Sequence, residues 1–405
     1  MSGTEAVIVA ATRSPIGRAY KGSLVGVRPD DLAALMVRTV LDRIPALPAS
    51  EVEDVVLGCG LPGGEQGFNI ARVVAVLAGL RDVPGLTVSR YCASGLQAVR
   101  TAAHAIRLRE GTVFIAGGVE CASRSEKGTS DNLPDTMNPR FDEAAHRTAD
   151  RTAGGAPPWT PEEDLPDVYI AMGQTAENVA QIEGVTREEQ DAFALRSQQL
   201  AVAAVARGHF DSEITPVELP DGTVVARDDG PRPDTSAEGL AGLRPVFRPD
   251  GTVTAGNACP LNDGAAAMVL MSANRARELG LSPLARIVST AVSALDPEIM
   301  GLGPVAAGRI ALTRAGLTIP DIDVVEINEA FAAQVIPSAR QLEIDIERLN
   351  VSGGAIALGH PFGMTGIRLL MSLVNNLTER DETLGMAALC VGGGQGMAVV
   401  IERMS

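Results

Sequence analysis

Short apolar runs alternate along the chain with alanine-rich stretches of helical period. Ala6-Val7-Ile8-Val9-Ala10-Ala11-Thr12, Asp54-Val55-Val56-Leu57 and Thr112-Val113-Phe114-Ile115-Ala116-Gly117-Gly118 are such runs. Runs of this kind predict strands buried on both faces of a largely parallel sheet, and so an α/β protein. The series of elements occurs twice. Ala285-Arg286-Ile287-Val288-Ser289-Thr290-Ala291 matches the first run and Asp323-Val324-Val325-Glu326 the second. Leu86-Thr87-Val88-Ser89 matches Leu349-Asn350-Val351-Ser352, each ahead of a small-residue helix. Ala387-Ala388-Leu389-Cys390-Val391-Gly392-Gly393 matches the run at 112–118. The order is kept at an offset of about 260–280 positions, which predicts a duplicated domain.

The segment between the copies has another character. Residues 122–250 hold Pro157, Pro158, Pro161, Pro166, Pro231 and Pro233 and several acidic runs. Thr186 with Glu189 three residues on predicts a capping box opening a helix to about Arg207, and Thr175 ahead of Asn178 predicts a looser helix start. The division expected is a first half at 1–121 and 251–272, an inserted loop domain at 122–250 that closes over a ligand, and a second half at 273–405. The tract 251–272 reads as the last strand of the first half.

Composition narrows the function. The chain has 405 residues, enough for two or three domains. Its 45% hydrophobic content excludes a disordered chain. With 34 basic and 50 acidic residues the net charge is 34 − 50 = −16, so nucleic acid and anionic membrane surfaces are not expected partners. An anionic substrate would need a local basic patch, and Arg227, Arg232, Arg244 and Arg248 supply a candidate. No apolar stretch reaches the ~20 residues of a membrane span. Met1-Ser2-Gly3-Thr4-Glu5-Ala6 has no signal-peptide character, and Glu402-Arg403-Met404-Ser405 is no retention or peroxisomal address. The five cysteines, Cys59, Cys92, Cys121, Cys259 and Cys390, are widely spaced. Reduced thiols in a cytoplasmic protein are expected, with no disulfide framework and no metal site.

Candidate chemistry lies where strands give way to helices. Cys92 directly precedes Ala93-Ser94-Gly95-Leu96-Gln97-Ala98-Val99, a helix expected to run to about Arg109. A helix N-terminus favours thiolate, but lowering a thiol pKa from ~8.5 to ~7 takes about 2 kcal/mol, near the most a terminus supplies. A nucleophile there also wants a basic partner. By position alone, a nucleophile and a buried structural thiol are equal readings. Of four histidines, His104, His146 and His209 have ordinary surroundings. His360 stands in Gly353-Gly354-Ala355-Ile356-Ala357-Leu358-Gly359-His360-Pro361-Phe362-Gly363-Met364-Thr365-Gly366, a backbone built for tight turns. It occupies in the second half roughly the place of Cys92 in the first. Asn328-Glu329-Ala330-Phe331 and Cys390-Val391-Gly392-Gly393-Gly394 each follow a strand, at the edge where α/β folds put ligands.

Cys92-Ala93-Ser94-Gly95, Asn328-Glu329-Ala330-Phe331, Gly359-His360-Pro361 with Gly363 and Gly366, and Cys390-Val391-Gly392-Gly393-Gly394 together resemble the thiolase family. The order and spacing match over nearly the whole chain. So do Gly251–Ala258, Asn262–Ala267 and Met300-Gly301-Leu302-Gly303-Pro304. The resemblance implies two βαβαβαββ halves in αβαβα layers, with a loop domain inserted in the first. It implies the reversible cleavage of 3-oxoacyl-CoA by CoA to acetyl-CoA and a shortened acyl-CoA, through a cysteine acyl-enzyme. Cys92 would be the nucleophile, His360 its base and a donor to one oxyanion, and Cys390 the acid/base at the α-carbon. Asn328 would hold a water at the same oxyanion, and the amides of Cys92 and Gly392 would serve a second one. Arg232 would lie near the nucleotide of CoA, with Leu243, Phe247, Ala255 and Cys259 along the pantetheine. Met172 and Met300 would line the acyl pocket, and Phe331 would be among the CoA-binding residues. CoA and its thioesters would be substrates and partners, with no tightly bound cofactor, and the family resemblance implies a homodimer or homotetramer.

Ser89 stands where the family usually has Asn, Cys259 where it has Ser, and Ala171 where short-chain biosynthetic members often carry His. The stretch from Cys121 to Val168 does not match their tetramer loop. The expected role is therefore broad or degradative. The alternatives are an acetoacetyl-CoA-forming acetyltransferase and a non-catalytic acyl-CoA-binding relative. A ketosynthase is disfavoured because Asn328 fills the place of one of its two histidines.

Overall fold

The first half opens on β1 (Ala6–Arg13), β2 (Gly17–Arg18) and α1 (Pro29–Asp42) and continues through β3 (Asp54–Gly58), α2 (Ile70–Leu77), β4 (Gly85–Val88), α3 (Ser94–Leu108) and β5 (Val113–Cys121). The computed structural model describes residues 4–125, 133 and 135–405. Met1–Gly3 and residues 126–132 and 134, part of the stretch compared with a tetramer loop, lie outside the described residues. Next come α4 (Ala122–Ser125), α5 (Asp142–Thr152), α6 (Met172–Glu183), α7 (Arg187–Ala206), the two-stranded β6 (Val217–Glu218) and β7 (Val224–Val225), and α8 (Ala237–Ala241). The chain returns to the sheet with β8 (Asn262–Ser272), followed by α9 (Ala273–Glu278) and β9 (Ala285–Ala294). The rest is α10 (Gly303–Ala315), β10 (Val324–Ile327), α11 (Ala332–Gln341), α12 (Ala355–Leu358), α13 (Phe362–Glu379), β11 (Leu384–Val391) and β12 (Gln395–Arg403).

The pairing repeats as the sequence predicts. In the first half β4 and β5 flank β3 in parallel, and β8 joins β5 to β1 through antiparallel ladders. In the second half β10 is parallel to β11, and β12 joins β11 to β9 antiparallel. The two sheets meet where Val7 faces Arg286 and Ile8 faces Ala285. A counterpart of β4 is reduced to a single bridge between Val325 and Leu349. There Asn350 adopts φ 47° and its side-chain amide bonds both the N–H and the carbonyl of Ile327, taking the place of a strand partner.

Residues of α3 and α13 form one core with the inner faces of both sheets, among them Leu96, Ile367, Met268 and Leu389. Helices α1 and α2 cover the outer face of the first sheet, and α10 and α11 that of the second. The result is five layers, helix–sheet–helix–sheet–helix. β5 and β8 are buried at every residue, which is why they read as unbroken apolar runs. The central helices approach closely because glycines face each other. A Cβ on Gly95 or Gly118 would collide with the Gly363 carbonyl oxygen, and one on Gly366 with the Leu96 amide. That approach brings the N-termini of α3 and α13 together.

The capping box at Thr186 and Glu189 is present, and α7 ends at Ala206. Thr175 corrects the sequence expectation. Helix α6 starts at Met172 behind Ala171 without a side-chain cap, and the Thr175 hydroxyl donates to the Met172 carbonyl 2.6 Å away inside the first turn. The strand read over 251–272 begins only at Asn262, because the ladder with β5 ends where Cys121 faces Asp263 and the preceding Ala258 and Cys259 pair instead with Phe331 and Ala330. The return leg of the intervening segment is tied to β1 by Arg13. This fully buried guanidinium bonds Glu213 at 2.7 Å and Asp228 at 2.8 and 3.0 Å.

Candidate active site

Cys92 lies in a short 3-10 turn, Tyr91–Ala93, between β4 and α3. Tyr91 before it is held at φ 41°, an uncommon backbone for a large side chain. The Ser94 hydroxyl fixes the turn, accepting from the Arg90 amide at 2.9 Å and donating to the Tyr91 carbonyl at 2.7 Å. The backbone amides of Gly392 and of Cys92 itself lie at the Cys92 sulfur and favour its thiolate. Gly393 and Gly394 turn the chain after β11 with φ of 74° and 75°, presenting the Gly392 amide. Met172 and Tyr91 flank it, with Met172 Sδ 3.5 Å and the Tyr91 ring 3.6 Å from where a Gly392 Cβ would stand.

At this helix N-terminus, which by the sequence reading needs a basic partner to yield a nucleophile, burial works against the thiolate. Burial pushes the Cys92 thiol up to about 11, against the two amides, and Glu120 adds to the rise. The local turn is three residues long and Cys92 is only 8% exposed, so lost hydration outweighs the dipole. Alkylation of Cys92 by iodoacetamide is therefore expected to quicken about tenfold per pH unit from pH 7 to pH 10. The rate is followed by peptide mass spectrometry, and a plateau at pH 7 to 8 would contradict the assignment.

His360 is 2% exposed and is fixed at two points. Its backbone N–H donates to Asn262 Oδ1 at 2.9 Å, and its Nδ1 is 2.6 Å from Thr365 Oγ1. The Thr365 hydroxyl proton goes to the Pro361 carbonyl at 2.8 Å. Thr365 Oγ1 must then accept, which puts the imidazole proton on Nδ1 and leaves Nε2 as a bare base. Nε2 is buried with no partner in the structure. Burial, with Arg368 second, pushes the imidazole down to about 3, so it is neutral at ordinary pH. Gly359, at φ 106°, makes room for Asn262, with which a Cβ would collide at 2.6 Å.

Asn328 follows β10 and is fully buried, its backbone N–H bonding the Ala388 carbonyl at 2.9 Å. Both polar atoms of its side chain are unpartnered. Cys390 is the penultimate residue of β11 rather than beyond it. Burial pushes its thiol well up, and Cys92 is its first electrostatic neighbour, followed by Cys259. The structure thus gathers Cys92, Cys390, Cys259 and Gly392 at one place.

A cleft of about 510 Å³ is lined by Arg232, Leu243, Phe247, Ala255 and Cys259, five of the residues expected at CoA. Met172, Met300 and Phe331 do not line it. They pack with Cys390, Phe247 and Ala258 in an apolar cluster. The expected arginine patch is corrected. Arg248 is buried and bonds Gln174, Gln181 and Asn178, and Arg227 lines a different groove. Arg244 is absent from the cleft lining, whereas Arg18 joins Arg232 there.

Several site residues escaped the sequence reading. Glu120, 1% exposed, accepts from the amides of Gly60 (2.7 Å), Leu61 (3.1 Å) and Gly363 (3.0 Å) and from Gln66 Nε2 (2.9 Å). It thereby ties the end of β3 to the first turn of α13. Its position at the end of an apolar strand was the available signal. Thr365 and Asn262 were visible within the glycine-rich tracts but without assigned roles. Among the described residues, no cluster of His, Cys, Asp or Glu could hold a metal ion, and no helix is long and apolar enough to cross a membrane.

A duplicated five-layer α/β fold with two neighbouring buried thiols and a bare, buried imidazole nitrogen at the start of the adjoining central helix defines a class of enzymes using cysteine for acyl transfer. The comparisons with known proteins agree. Residues 6–274 match the thiolase N-terminal domain and residues 281–403 the thiolase C-terminal domain. The 3-ketoacyl-CoA thiolase of Bacillus subtilis (strain 168) is 45% identical over 411 residues, covering 98% of this chain and 99% of that one. The beta-ketoadipyl-CoA thiolase of Escherichia coli is 44% identical over 413 residues, covering 99% and 100%. The crystal structure of the Bacillus anthracis acetyl-CoA acetyltransferase superposes with a TM-score of 0.84 at 41% identity, covering 99% of each chain. The chain belongs to the thiolase family.

Proposed function

We propose that this acyltransferase cleaves 3-oxoacyl-CoA with CoA, giving acetyl-CoA and a shortened acyl-CoA, and runs the reverse Claisen condensation. The observation that carries the reading is the Cys92 sulfur under two backbone amides, beside a second thiol. In thiolysis His360 Nε2 takes the Cys92 proton and the sulfur attacks the 3-oxo carbon. The bond between the α- and 3-carbons breaks, and its electron pair becomes the enolate of acetyl-CoA. Cys390 delivers a proton to that carbon, while His360 and a water on Asn328 stabilise the enolate oxygen. The acyl group stays on Cys92, with its thioester oxygen at the amides of Cys92 and Gly392. The CoA thiol then takes it, giving its own proton to the Cys390 thiolate, while His360 returns its proton to the freed Cys92 sulfur. Two thiols suit this division, since one attacks carbon and the other moves a proton.

The cleft between Arg232 and Cys259 holds the CoA moiety, with Arg18 and Arg232 at its anionic end and Leu243, Phe247 and Ala255 along its apolar arm. Met172, Met300 and Phe331 bound the acyl end near Cys390. The loop domain at 122–250 carries most of the cleft wall, and the halves at 1–121 with 251–272 and at 273–405 carry the reacting groups. A homo-oligomer is supported by the open edge of β4, where Leu86 is 42% exposed beside Tyr91 at 47% and Phe68 at 93%. Five free cysteines fit a reducing, cytoplasmic setting.

Relatives named for 3-ketoacyl, beta-ketoadipyl and acetyl substrates match this chain almost equally. Chain length is therefore a question for the acyl end, where Ala171 replaces a bulkier side chain. Thiolysis of acetoacetyl-CoA beside longer 3-oxoacyl-CoAs is expected to give a kcat/KM that rises about 10- to 200-fold for each well-placed apolar group, or about 1–3 kcal/mol each. Activity confined to acetoacetyl-CoA would make the enzyme a short-chain acetyltransferase. Failure to cleave any of them would leave a CoA-thioester-binding protein.

A further inference from the structure

Glu329 is fully buried beside Asn328 and carries a carboxylate that every neighbour treats as an acceptor. Its Oε1 accepts from Asn350 Nδ2 at 2.9 Å. Its Oε2 accepts from the Ser197 hydroxyl at 2.6 Å and from the Ile356 amide at 3.1 Å. The donors come from three separate segments: the turn after Leu349, the middle of α7, and the first turn of α12. The chain is shaped to admit the carboxylate. A Cβ on Gly354 would collide with it, and Gly353, at φ 79°, lies 2.7 Å from the α7 backbone where a Cβ would stand. Ser197 Oγ also accepts from the Gly354 amide at 3.2 Å, closing the ring.

From this geometry we infer that Glu329 is a positioning residue for Asn328, acting on the enolate-forming half of the reaction; the inference rests on the thiolase reading above. The distribution of anchors carries the argument. His360 is held by Asn262 and Thr365, whereas Glu329 is bonded by Ser197, Asn350 and Ile356. Cys92 is held by the Ser94 turn and the Gly392 amide. The Asn328 side chain has no hydrogen bond of its own, so its aim depends on the backbone on either side. On one side that backbone is fixed by the Ala388 carbonyl and on the other by the Glu329 carboxylate. Asn350 cannot turn its amide to suit another partner, because its Oδ1 already accepts from the Ile327 amide at 2.9 Å and its Nδ2 donates to the Ile327 carbonyl at 2.9 Å. A glutamine at 329 would therefore set an NH2 group against a donor on one side of the pocket or the other.

The test separates two half-reactions on the full-length protein. One is acetylation of Cys92 by acetyl-CoA, read by peptide mass. The other is exchange of the acetyl-CoA α-protons with D2O, read by NMR. Glu329→Gln is expected to slow exchange about 30-fold or more, as sub-ångström misplacement of a reacting group does, and to leave acetylation within about threefold of wild type. Ser197→Ala, which removes one donor and keeps the carboxylate, is expected to slow exchange about threefold in the same selective way, and it decides the matter if Glu329→Gln does not fold. Equal loss in both half-reactions, or no loss of exchange in a folded variant, overturns the inference. Absence of both half-reactions in the wild-type protein would instead overturn the thiolase reading.

Discussion

Replacing Cys92 by alanine is expected to lower kcat/KM for thiolysis by about 10⁴-fold or more, with CoA affinity changed by less than about threefold. The size follows from the role. The proposed route passes through an acyl-enzyme, and when a covalent nucleophile is removed only binding and preorganised donors remain. Those donors survive here, because the Gly392 amide is presented by the turn after β11 and not by Cys92. The spared affinity follows from the layout of the cleft, whose lining includes Arg18, Arg232, Leu243 and Phe247 but not Cys92. Isothermal titration with CoA and steady-state thiolysis measure the two quantities, and loss of the acetylated Cys92 peptide identifies the cause. Retention of more than about 1% of wild-type activity would rule out the covalent route. Equal collapse of affinity and turnover would place Cys92 in the fold rather than in the chemistry.

The parts of this molecule that the sequence made legible are those built from local pattern. Strands β5 and β8 are buried on both faces and so carry unbroken apolar runs. The duplication showed because each half buries the same series of elements. The glycines around His360 and Cys390 showed because backbone turns and close approach exclude other residues. What stayed hidden depends on who meets whom across hundreds of positions. Glu120 looked like the end of a strand, and nothing near it in sequence names Gly60, Gln66 and Gly363 as its partners. Arg248 looked like part of a phosphate patch, and only the packing of α6 shows that Gln174 and Asn178 have taken it. The depth of the Cys92 thiol was hidden for the same reason. Its place before a helix is a local fact, whereas its loss of solvent comes from α13 and the turn after β11. Glu326 repeats the lesson, since burial raises its carboxyl to about 8 although Arg368 lies 3.5 Å away.

Replacing His360 by alanine is expected to cost about 10⁴-fold in kcat/KM, because one side chain serves both ends of the reaction. As base for Cys92 it accounts for about 10²–10⁴-fold, and as donor to the enolate oxygen for about 10²–10³-fold. The two need not multiply, since they fall in successive steps and only the slower limits turnover. Both depend on the tautomer that Thr365 imposes. With the threonine proton spent on the Pro361 carbonyl, Nδ1 keeps its hydrogen and the buried Nε2 is left unprotonated. Thr365→Val removes that constraint without removing the imidazole, and about 10- to 100-fold loss is expected from the wrong tautomer and a looser ring. The resting thiol at about 11 and imidazole at about 3 are both neutral, so no ion pair stands ready. Proton transfer must then accompany attack, and wild-type acylation of Cys92 should slow in D2O. A His360→Ala variant that keeps a tenth of the activity, or a Thr365→Val variant indistinguishable from wild type, would assign the base elsewhere. Loss of both acylation and exchange in His360→Ala, set beside selective loss of exchange in Glu329→Gln, would separate the group that serves both steps from the one that serves only the second.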